Sequence, residues 1–558
     1  MVINMSLNNQ SDLLVKTISI PMRDSVSLIA DFFVKSDDLK YPVLLLRTPY
    51  SRQNAIVLID AINLARSGWA VVVQNVRGRL GSEGCFLPFV QEEMDGADTI
   101  EWITKQLWCN GKVAMSGASY VGFVQWSCAQ ANLPGLKAIS PQISSSNILK
   151  HWFYENETFR HAFAQSWGLS LAYTSIKNNQ DVELINRYAS NLGELYDFSP
   201  SDSPLQDLFK PYKYWLEREN YVIWCNLPDF QKKLPNIPAF HLAGWFDIFC
   251  EGSLEDYTML HDHLPEGYAK NSQRLIVGPW THNELLSQIS GEVDFGLKAN
   301  GHVQEVMNEI HDWLFSALEE KPVKGGAKIF IMGRNEWQEF STWPPREIAV
   351  NNMFLQNASN STSTGYSLKK VVTAKCEAKF VYDPSNLPQI KGGRTLDPTL
   401  GGRAGSFNQA ALTNRKDVLI FSSDILNKPV TIVGQVTIEL NISSSREVID
   451  IFLSLLDINP KGEIFNLSSA THRVKLKLNQ VNKINLSVGS TAATFFEGRR
   501  ICLMISSSNF PHVDRLLDKK QDIFENTIFS SHNNPSFISL PVVKPSFLPR
   551  LLSREVQS

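Results

Sequence analysis

The chain has 558 residues, more than one hydrophobic core accommodates, so two or three domains are expected. Hydrophobic residues make up 43% of the sequence and charged residues 20%, which is typical of a soluble globular protein. The formal net charge of -3 gives no electrostatic basis for binding nucleic acid or an anionic membrane.

The cysteines and the lengths of the apolar runs indicate the cellular compartment of the protein. The 7 cysteines are odd in number and scattered, without a C-x-x-C pair, which argues against a disulfide framework and a structural zinc site. No apolar run has the length of a transmembrane helix, and the first residues lack the apolar segment of a secretory signal. We therefore expect a cytoplasmic protein.

Strand and helix patterns alternate along the first part of the chain. Residues 17–34 form two alternating stretches around a polar turn, which predicts a β-hairpin. Short apolar runs predict buried strands at 41–46, 69–73 and 112–115. Amphipathic patterns after these runs predict helices at 55–66, 95–105 and 120–130. This succession is typical of a doubly wound α/β sheet.

Residues 112–126 read KVAMSGASYVGFVQW and have the form of a nucleophile elbow. In an elbow, a sharp turn between a strand and a helix raises a serine hydroxyl above the sheet. Ser119 occupies that position, and Gly117 leaves room for the turn. The usual pattern is G-x-S-x-G, whereas here Val121 holds the fifth position and Gly122 follows it. Taken alone, the turn is also compatible with simple helix capping.

The pattern changes after about residue 145. Phe159, Phe163, Trp167 and Leu171 recur every four residues, which predicts one face of a helix. We interpret residues 146–234 as a helical cap over the carboxyl edge of the sheet. The α/β catalytic domain is assigned to residues 1–145 and 235–325, where further strands are predicted at 237–243 and 274–277 and a helix at 303–318.

The last part of the chain has a period of two. Val436, Ile438, Leu440 and Ile442 alternate with polar residues, and short strands with Gly, Asn and Pro turns continue to the end. Residues 326–558 are therefore predicted to form an all-β module, a sandwich or jelly roll.

Three polar residues follow the ends of three predicted buried strands. Ser119, Asp247 and His282 lie at these positions, and ligand sites form at this edge of open α/β sheets. Their order along the chain is that of the α/β-hydrolase triad, in which the histidine activates the serine and the aspartate orients the imidazole. Singly, Asp247 could be a turn residue and His282 a loop histidine. His241 and His151 are competing bases, although His241 lies within a predicted strand and is better explained as a core histidine.

Tyr50 follows the strand 41–46 in the sequence YPVLLLRTPY. The loop after this strand normally supplies one donor of the oxyanion hole. The hydroxyl of Tyr50 could act as this donor together with the backbone N–H of Tyr120, or the ring of Tyr50 could simply pack in the core. Spacing alone leaves both interpretations open.

These residues resemble the cocaine esterase and X-Pro dipeptidyl-peptidase (peptidase S15) family of α/β-hydrolases, which also includes glutaryl-7-aminocephalosporanic acid acylases and α-amino-acid ester hydrolases. The matching segments run along nearly the whole chain: IPMRDSVSLIADFF, RTPYSR, VRGRLGSEG, MDGADTIEWITKQLWCNGKVAMSGASYVGF, GWFD, GPWTHN, DVLIFSS and SSSNFPHVDR. A later elbow glycine and a tyrosine directly after the serine are features of this family.

The resemblance implies a role for each candidate. Ser119 would be the nucleophile, Asp247 the acid and His282 the base, with the Tyr50 hydroxyl and the Tyr120 amide as the oxyanion hole. The implied fold class is α/β, an α/β-hydrolase core with a helical cap insertion and a C-terminal jelly roll. Family members hydrolyse esters or amides without a metal or organic cofactor.

The chain also departs from the family pattern. An acid usually precedes the VRGRG segment, and Asn75 stands there. The α-amino-acid ester hydrolases carry carboxylates shortly after the catalytic aspartate, to bind the substrate ammonium. Here Ile248, Phe249 and Cys250 take these positions and Glu251 is the first acid, so a preference for α-amino acyl groups is not expected.

The sequence therefore predicts a serine hydrolase that cleaves a small-molecule ester or amide through a covalent acyl-enzyme. An X-Pro-type dipeptidyl-peptidase is the alternative enzyme, although such enzymes are typically longer and an anchor for a free amino terminus is not identified. A catalytically inactive carbohydrate-binding protein that uses the jelly roll is the alternative of another class. No nucleic-acid or membrane partner is expected, and oligomerisation is left open.

Overall fold

A computed structural model describes residues 13–173, 179–217, 234–358, 365–396, 404–516, 523–544 and 547. Parts of the predicted catalytic domain (1–12), cap (174–178 and 218–233) and β module (359–364, 397–403, 517–522 and most of 545–558) lie outside the described residues. No helix within the described ranges is long and apolar enough to cross a lipid bilayer.

The first part of the catalytic domain alternates strands and helices as expected. Its elements are β1 (Leu14–Pro21), β2 (Ser27–Val34), β3 (Tyr41–Thr48), α1 (Ala55–Arg66), β4 (Ala70–Asn75), α2 (Glu92–Thr104), β5 (Cys109–Ala118), α3 (Tyr120–Gln130) and β6 (Leu136–Gln142). β1 and β2 form the predicted antiparallel hairpin, whereas β3 to β6 pair in parallel. The helices predicted at 55–66 and 120–130 have the bounds that the sequence indicated.

The cap contains mostly helices. Its elements are β7 (Tyr154–Glu155), β8 (Thr158–Phe159), α4 (His161–Tyr173), α5 (Asn179–Ser190), α6 (Leu192–Tyr196), α7 (Leu205–Leu208) and α8 (Pro211–Leu216). The prediction that Phe159 belongs to the helix was wrong, because Phe159 pairs with Tyr154 in a two-residue ribbon. The chain reverses through Asn156 and Glu157, both at positive φ, and the helix begins only at His161.

The sheet then resumes with β9 (Phe240–Phe246), α9 (Cys250–His263), α10 (Tyr268–Asn271), β10 (Arg274–Thr281), β11 (Ile289–Ser290), β12 (Val293–Asp294), α11 (Val306–Leu318), β13 (Gly326–Ile331) and β14 (Glu336–Phe340). The sequence assigned residues from 326 onward to the β module. In the structure β13 instead pairs in parallel with β10, and β14 pairs with β13. Alternation along a strand does not show which sheet the strand joins, so this assignment could not be made from the pattern.

Among the described residues, one sheet of ten strands has the order β1-β2-β4-β3-β5-β6-β9-β10-β13-β14. From β4 to β13 the neighbouring strands are parallel. The carboxyl ends of β3, β5, β9 and β10 therefore meet at one edge of the sheet, where sites form in open α/β folds.

The β-rich domain follows. Its strands are β15 (Ile348–Asn357), β16 (Tyr366–Lys369), β17 (Cys376–Tyr382), β18 (Val418–Ser422), β19 (Val430–Ser444), β20 (Val448–Ile458), β21 (Ile464–Lys475), β22 (Asn482–Phe495), β23 (Arg500–Ser506), β24 (Phe524–Ser530) and β25 (Phe537–Val543). The predicted alternation in β19 is confirmed, since Val436, Ile438, Leu440 and Ile442 are all buried. Their hydrophobic cluster also contains Trp245 of the catalytic domain, so the two domains share a core. The predicted fold class is confirmed.

Candidate active site

Ser119 lies in the turn between β5 and α3, where the backbone is strained. Its φ is 59° and its ψ is -124°, a conformation that non-glycine residues rarely adopt and that is typical of a nucleophile elbow. Two contacts hold the turn against the end of β6 and the segment that follows it. The Ser119 amide donates to the Gln142 carbonyl at 2.9 Å, and the Ser144 hydroxyl donates to the Ser119 carbonyl at 2.8 Å. The half-buried serine is thus fixed through its backbone.

Two glycines make the elbow sterically possible. A Cβ atom on Gly117 would lie 2.3 Å from the Val121 side chain, and its φ is +141°. A Cβ atom on Gly122 would lie 2.5 Å from the Cβ of Ser144. A side chain at Gly122 would therefore push away the residue whose hydroxyl binds the Ser119 carbonyl. This packing explains why position 122 is a glycine.

His282 connects the other two candidates. It follows the last residue of β10, and its Nε2 lies 3.1 Å from the Ser119 Oγ. Its Nδ1 lies 2.6 Å from the Asp247 Oδ2. The Asp247 side chain is fully buried, and its other oxygen accepts the Phe249 amide proton at 2.8 Å. With Nδ1–H donating to Asp247, the lone pair on Nε2 is available for the serine proton.

The competing histidines lie elsewhere. His241 is buried within β9, its ring contacts Gln273 at 3.3 Å, and burial lowers its pKa to about 4. His151 contacts Glu255 at 2.9 Å, and burial lowers its pKa from the ordinary value although Glu255 opposes this shift. His282 is therefore the imidazole that the structure brings to Ser119.

Tyr50 is not a core residue, because 39% of its surface is exposed. Its hydroxyl accepts a hydrogen bond from the Trp167 indole at 3.1 Å, and the Trp167 ring lies 6.1 Å from the Tyr120 ring. Desolvation of the hydroxyl raises the pKa of Tyr50 despite the partial exposure of the ring, so the phenol keeps its proton. Trp167 of the cap thus lies between the two tyrosines that the sequence selected.

The loop that carries Tyr50 is held by residues whose roles the sequence did not reveal. The Asn75 side-chain amide donates to the carbonyls of Thr48 and Tyr50, at 3.1 and 2.6 Å. The Arg79 Nε donates to the Pro49 carbonyl at 2.7 Å. Three successive carbonyls are therefore bound by buried donors, which fixes the backbone from which the Tyr50 side chain projects.

A buried polar network lies behind the elbow. The Tyr120 hydroxyl donates to the Glu92 carboxylate at 2.8 Å, and Glu92 forms an ion pair with the fully buried Arg47 at 2.9 Å. Burial raises the pKa of Glu92, while Arg47 opposes this shift. The network anchors the first residue of α3, at the end of the helix where backbone amides carry partial positive charge.

Aromatic residues from the cap and from both parts of the catalytic domain pack beside the triad. The Phe249 ring lies 5.4 Å from the His282 ring. Ring contacts extend from it through Trp152, Phe163, Trp167, Trp215, Phe153, Phe89 and Phe123. The imidazole of His282 therefore borders a largely buried aromatic cluster.

Glu251, the first acid after Asp247, is already engaged. Its carboxylate forms an ion pair with Arg394 of the β-rich domain. It also accepts from the Ser490 amide at 2.5 Å and from the Ser490 hydroxyl at 2.9 Å. Ile248, Phe249 and Cys250 are buried and apolar. Within the described ranges, no three His, Cys, Asp or Glu residues come together as a metal site.

Two family models match the chain. One, described as X-Pro dipeptidyl-peptidase (S15 family), matches residues 24–284, and the other, described as X-Pro dipeptidyl-peptidase C-terminal non-catalytic domain, matches residues 323–538. Cocaine esterase from Rhodococcus sp. (strain MB1 Bresler) is 29% identical over 574 aligned residues, covering 94% of this chain and 98% of that protein. The chain belongs to the S15 family. The predicted resemblance is confirmed, and this S15 protein is a serine-type hydrolase of ester or amide bonds.

Two further relatives differ in how much of the S15 chain they match. The solved structure of an α-amino acid ester hydrolase has a TM-score of 0.76 and 21% identity, covering 95% of this chain and 97% of that one. Xaa-Pro dipeptidyl-peptidase from Lactiplantibacillus plantarum is 34% identical, but over only 115 residues, 18% of this chain and 14% of that protein. The first similarity shows the common fold, and the second is confined to a short segment.

Proposed function

We propose that this S15 hydrolase cleaves esters or amides through an acyl-enzyme on Ser119, with His282 as the base and Asp247 as the acid. The proposal is carried by the continuous hydrogen-bonded chain from Ser119 through His282 to Asp247 at a strained elbow. His282 Nε2 takes the Ser119 proton as Oγ attacks the substrate carbonyl. The imidazolium then protonates the leaving group, and a water molecule, activated by His282, releases the acid.

Asp247 keeps the imidazole in the required tautomer and stabilises its positive charge during both steps. This role needs an ionised carboxylate at a fixed position. The Phe249 amide donates to one of its oxygens and His282 to the other, so both oxygens of the buried carboxylate are used. These two hydrogen bonds fix the orientation of the carboxylate toward His282.

We further propose that the Tyr50 hydroxyl and the Tyr120 amide bind the oxyanion. An indole N–H can only donate, so in its bond with Trp167 the Tyr50 hydroxyl acts as acceptor. The proton of Tyr50 is then directed to another acceptor, and donation by Trp167 polarises the hydroxyl further. The negatively charged carbonyl oxygen of the transition state is an acceptor of the required kind.

The site favours a small substrate with an apolar acyl group. Phe249 and Trp152 are buried, whereas the Trp167 ring is half-buried beside Tyr50 and can offer apolar contact area to such a group. Both family models carry the peptidase description, but among the individual relatives cocaine esterase matches nearly the whole chain, whereas the Lactiplantibacillus plantarum dipeptidyl-peptidase matches 18% of it, and this favours esterase activity. An inactive carbohydrate-binding protein is disfavoured by the intact triad geometry.

Covalent labelling tests this function directly. A fluorophosphonate probe should label the wild-type chain on Ser119 and should not label Ser119→Ala. Hydrolysis of aryl esters, glutaryl amides and X-Pro amides by the same two proteins then ranks the substrate classes. Failure of the probe to label folded wild-type protein would contradict the proposal.

We also propose a cytoplasmic location. The described cysteines, Cys85, Cys109, Cys128, Cys250, Cys376 and Cys502, are all free thiols. Disulfides are rare in a reducing cytoplasm and common in secreted proteins. Fractionation of the native host with a cytoplasmic marker enzyme checks this proposal.

A further inference from the structure

The turn between β9 and α9 carries Asp247, and its backbone is bound from two other domains. The Trp245 carbonyl accepts a hydrogen bond from the Nε of Arg394 at 3.0 Å. The Ile248 carbonyl accepts from an Nη of Arg160 at 3.0 Å. The two arginines therefore form hydrogen bonds to the backbone on either side of Asp247.

Arg394 belongs to the β-rich domain and makes further contacts at the same junction. Its guanidinium also binds the Glu251 carboxylate, in the first turn of α9, and the Ser490 carbonyl. Only 6% of the Arg394 side chain is exposed. Because Glu251 is in turn bound by the amide and hydroxyl of Ser490, the β-rich domain holds both ends of the segment 245–251.

Arg160 belongs to the cap and immediately precedes α4. Its Nε donates to the Tyr154 carbonyl at 3.2 Å, and the residue is only 7% exposed. Its positive charge interacts with Asp247 itself as well as with Glu155. The cap thus fixes the turn that carries Asp247 by a hydrogen bond to its backbone.

We propose that Arg394 and Arg160 are positioning residues that hold Asp247 against His282 Nδ1. This inference rests on the proposed function, in which Asp247 is the acid of the triad. The β-rich domain then contributes to catalysis although it supplies no reacting group. The acid must stay at 2.6 Å from Nδ1, and a displacement of about 1 Å in such a geometry costs on the order of 10²-fold in rate.

The test uses the full-length variants Arg394→Gln and Arg160→Gln. Each should lower kcat on a reactive aryl ester by roughly 10- to 100-fold and leave KM within about threefold, because substrate contacts are kept. Each should also shift or broaden the low-field proton NMR signal of the His282 Nδ1–H, which reports on the contact with Asp247. A purely structural role would lower thermal stability but leave this signal in place.

Arg274→Gln is the matched control. Arg274 is equally buried, with 1% of its side chain exposed, and pairs with Glu309 and Glu339. It lies at the start of β10, roughly 25 Å along the strand from His282. Its loss should lower the melting temperature but leave kcat and the low-field signal unchanged at temperatures where all proteins are folded.

The outcomes separate this inference from the proposed function. If folded wild-type protein is inactive, or if Asp247→Asn keeps full kcat, the triad assignment itself fails. If Asp247→Asn is impaired while Arg394→Gln keeps wild-type kcat and an unchanged signal, the positioning role is overturned.

If Arg394→Gln does not fold, Arg394→Lys decides by the same two readouts. Because an ammonium group cannot bind three acceptors in fork geometry, this variant should still lose about fivefold in kcat.

Discussion

The proposed oxyanion donor can be tested with a double-mutant cycle on Tyr50 and Trp167. Tyr50→Phe removes the hydroxyl but keeps the ring. Loss of one preorganised donor to an oxyanion typically costs about 10²- to 10³-fold in kcat, or about 3 to 4 kcal/mol. KM should change little, because this hydrogen bond is strongest in the transition state.

Trp167→Phe tests whether the indole supports that hydroxyl. The Trp167 ring stacks on Phe163 at 5.6 Å and on Trp215 at 5.1 Å, and a phenyl ring preserves much of this packing. What is lost is the hydrogen bond at 3.1 Å to Tyr50. A net contribution of about 1 kcal/mol for such a bond predicts a roughly fivefold fall in kcat.

The cycle isolates the hydrogen bond from the packing. In a Tyr50→Phe background there is no hydroxyl to receive the indole proton, so Trp167→Phe should have little further effect on kcat. The coupling energy should then equal nearly the whole effect of the single Trp167 variant. Steady-state kinetics on one aryl ester with the four proteins provide the measurement.

Two results would refute this reasoning. A loss below about threefold in folded Tyr50→Phe would show that the hydroxyl does not bind the oxyanion. Equal losses for Trp167→Phe in both backgrounds would show that Trp167 acts by packing or substrate contact rather than through Tyr50.

Three further predictions follow from the site and its surroundings. Ser119→Ala should lower kcat by a factor on the order of 10⁶ with an unchanged circular dichroism spectrum. Wild-type turnover by this variant would disprove the assignment of Ser119 as the nucleophile. Phenylglycine methyl ester should have no advantage over phenylacetic acid methyl ester in kcat/KM, since Glu251 is bound by Arg394; a strong preference would contradict this. Burial raises the pKa of Asp256 to about 7, so the unfolded chain releases this proton at a lower pH than the folded protein does. The melting temperature of the wild type should therefore fall relative to that of Asp256→Asn as the pH rises from about 4 to 7. The same pH dependence of the melting temperature in both proteins would refute this prediction.

Much of the fold could be predicted because the strands of a parallel sheet are buried on both faces and appear as continuous apolar runs. The two exceptions have different causes. The four-residue repeat that began at Phe159 suggested a helix, but the turn at Asn156 and Glu157 holds Phe159 in a ribbon. The sequence assigns residues 326–340 to the β module, and only tertiary pairing shows that β13 lies beside β10 and β14 beside β13.

The triad candidates were accessible to sequence reasoning because each is the first residue after a buried strand. Ser119 follows β5, and His282 follows β10, while Asp247 follows β9. The residues that support them were not accessible. Trp167 is 117 positions from Tyr50, and Arg394 is 149 positions from Trp245, so no local pattern connects them. Several of their partners are backbone carbonyls. Every residue type has this group, so the residue type at those positions does not reveal the contact.

Asn75 shows how a departure from a family pattern acquires a physical meaning once its partners are known. An aspartate at this position could keep the contact that the Asn75 Oδ1 makes with Arg52 at 2.7 Å. It could not donate to the Thr48 and Tyr50 carbonyls, and it would place a carboxylate oxygen against them. In this chain the amide therefore fixes the backbone that presents the Tyr50 hydroxyl. Asn75 and Tyr50 form one unit, and an acid at position 75 would require this loop to be held in another way.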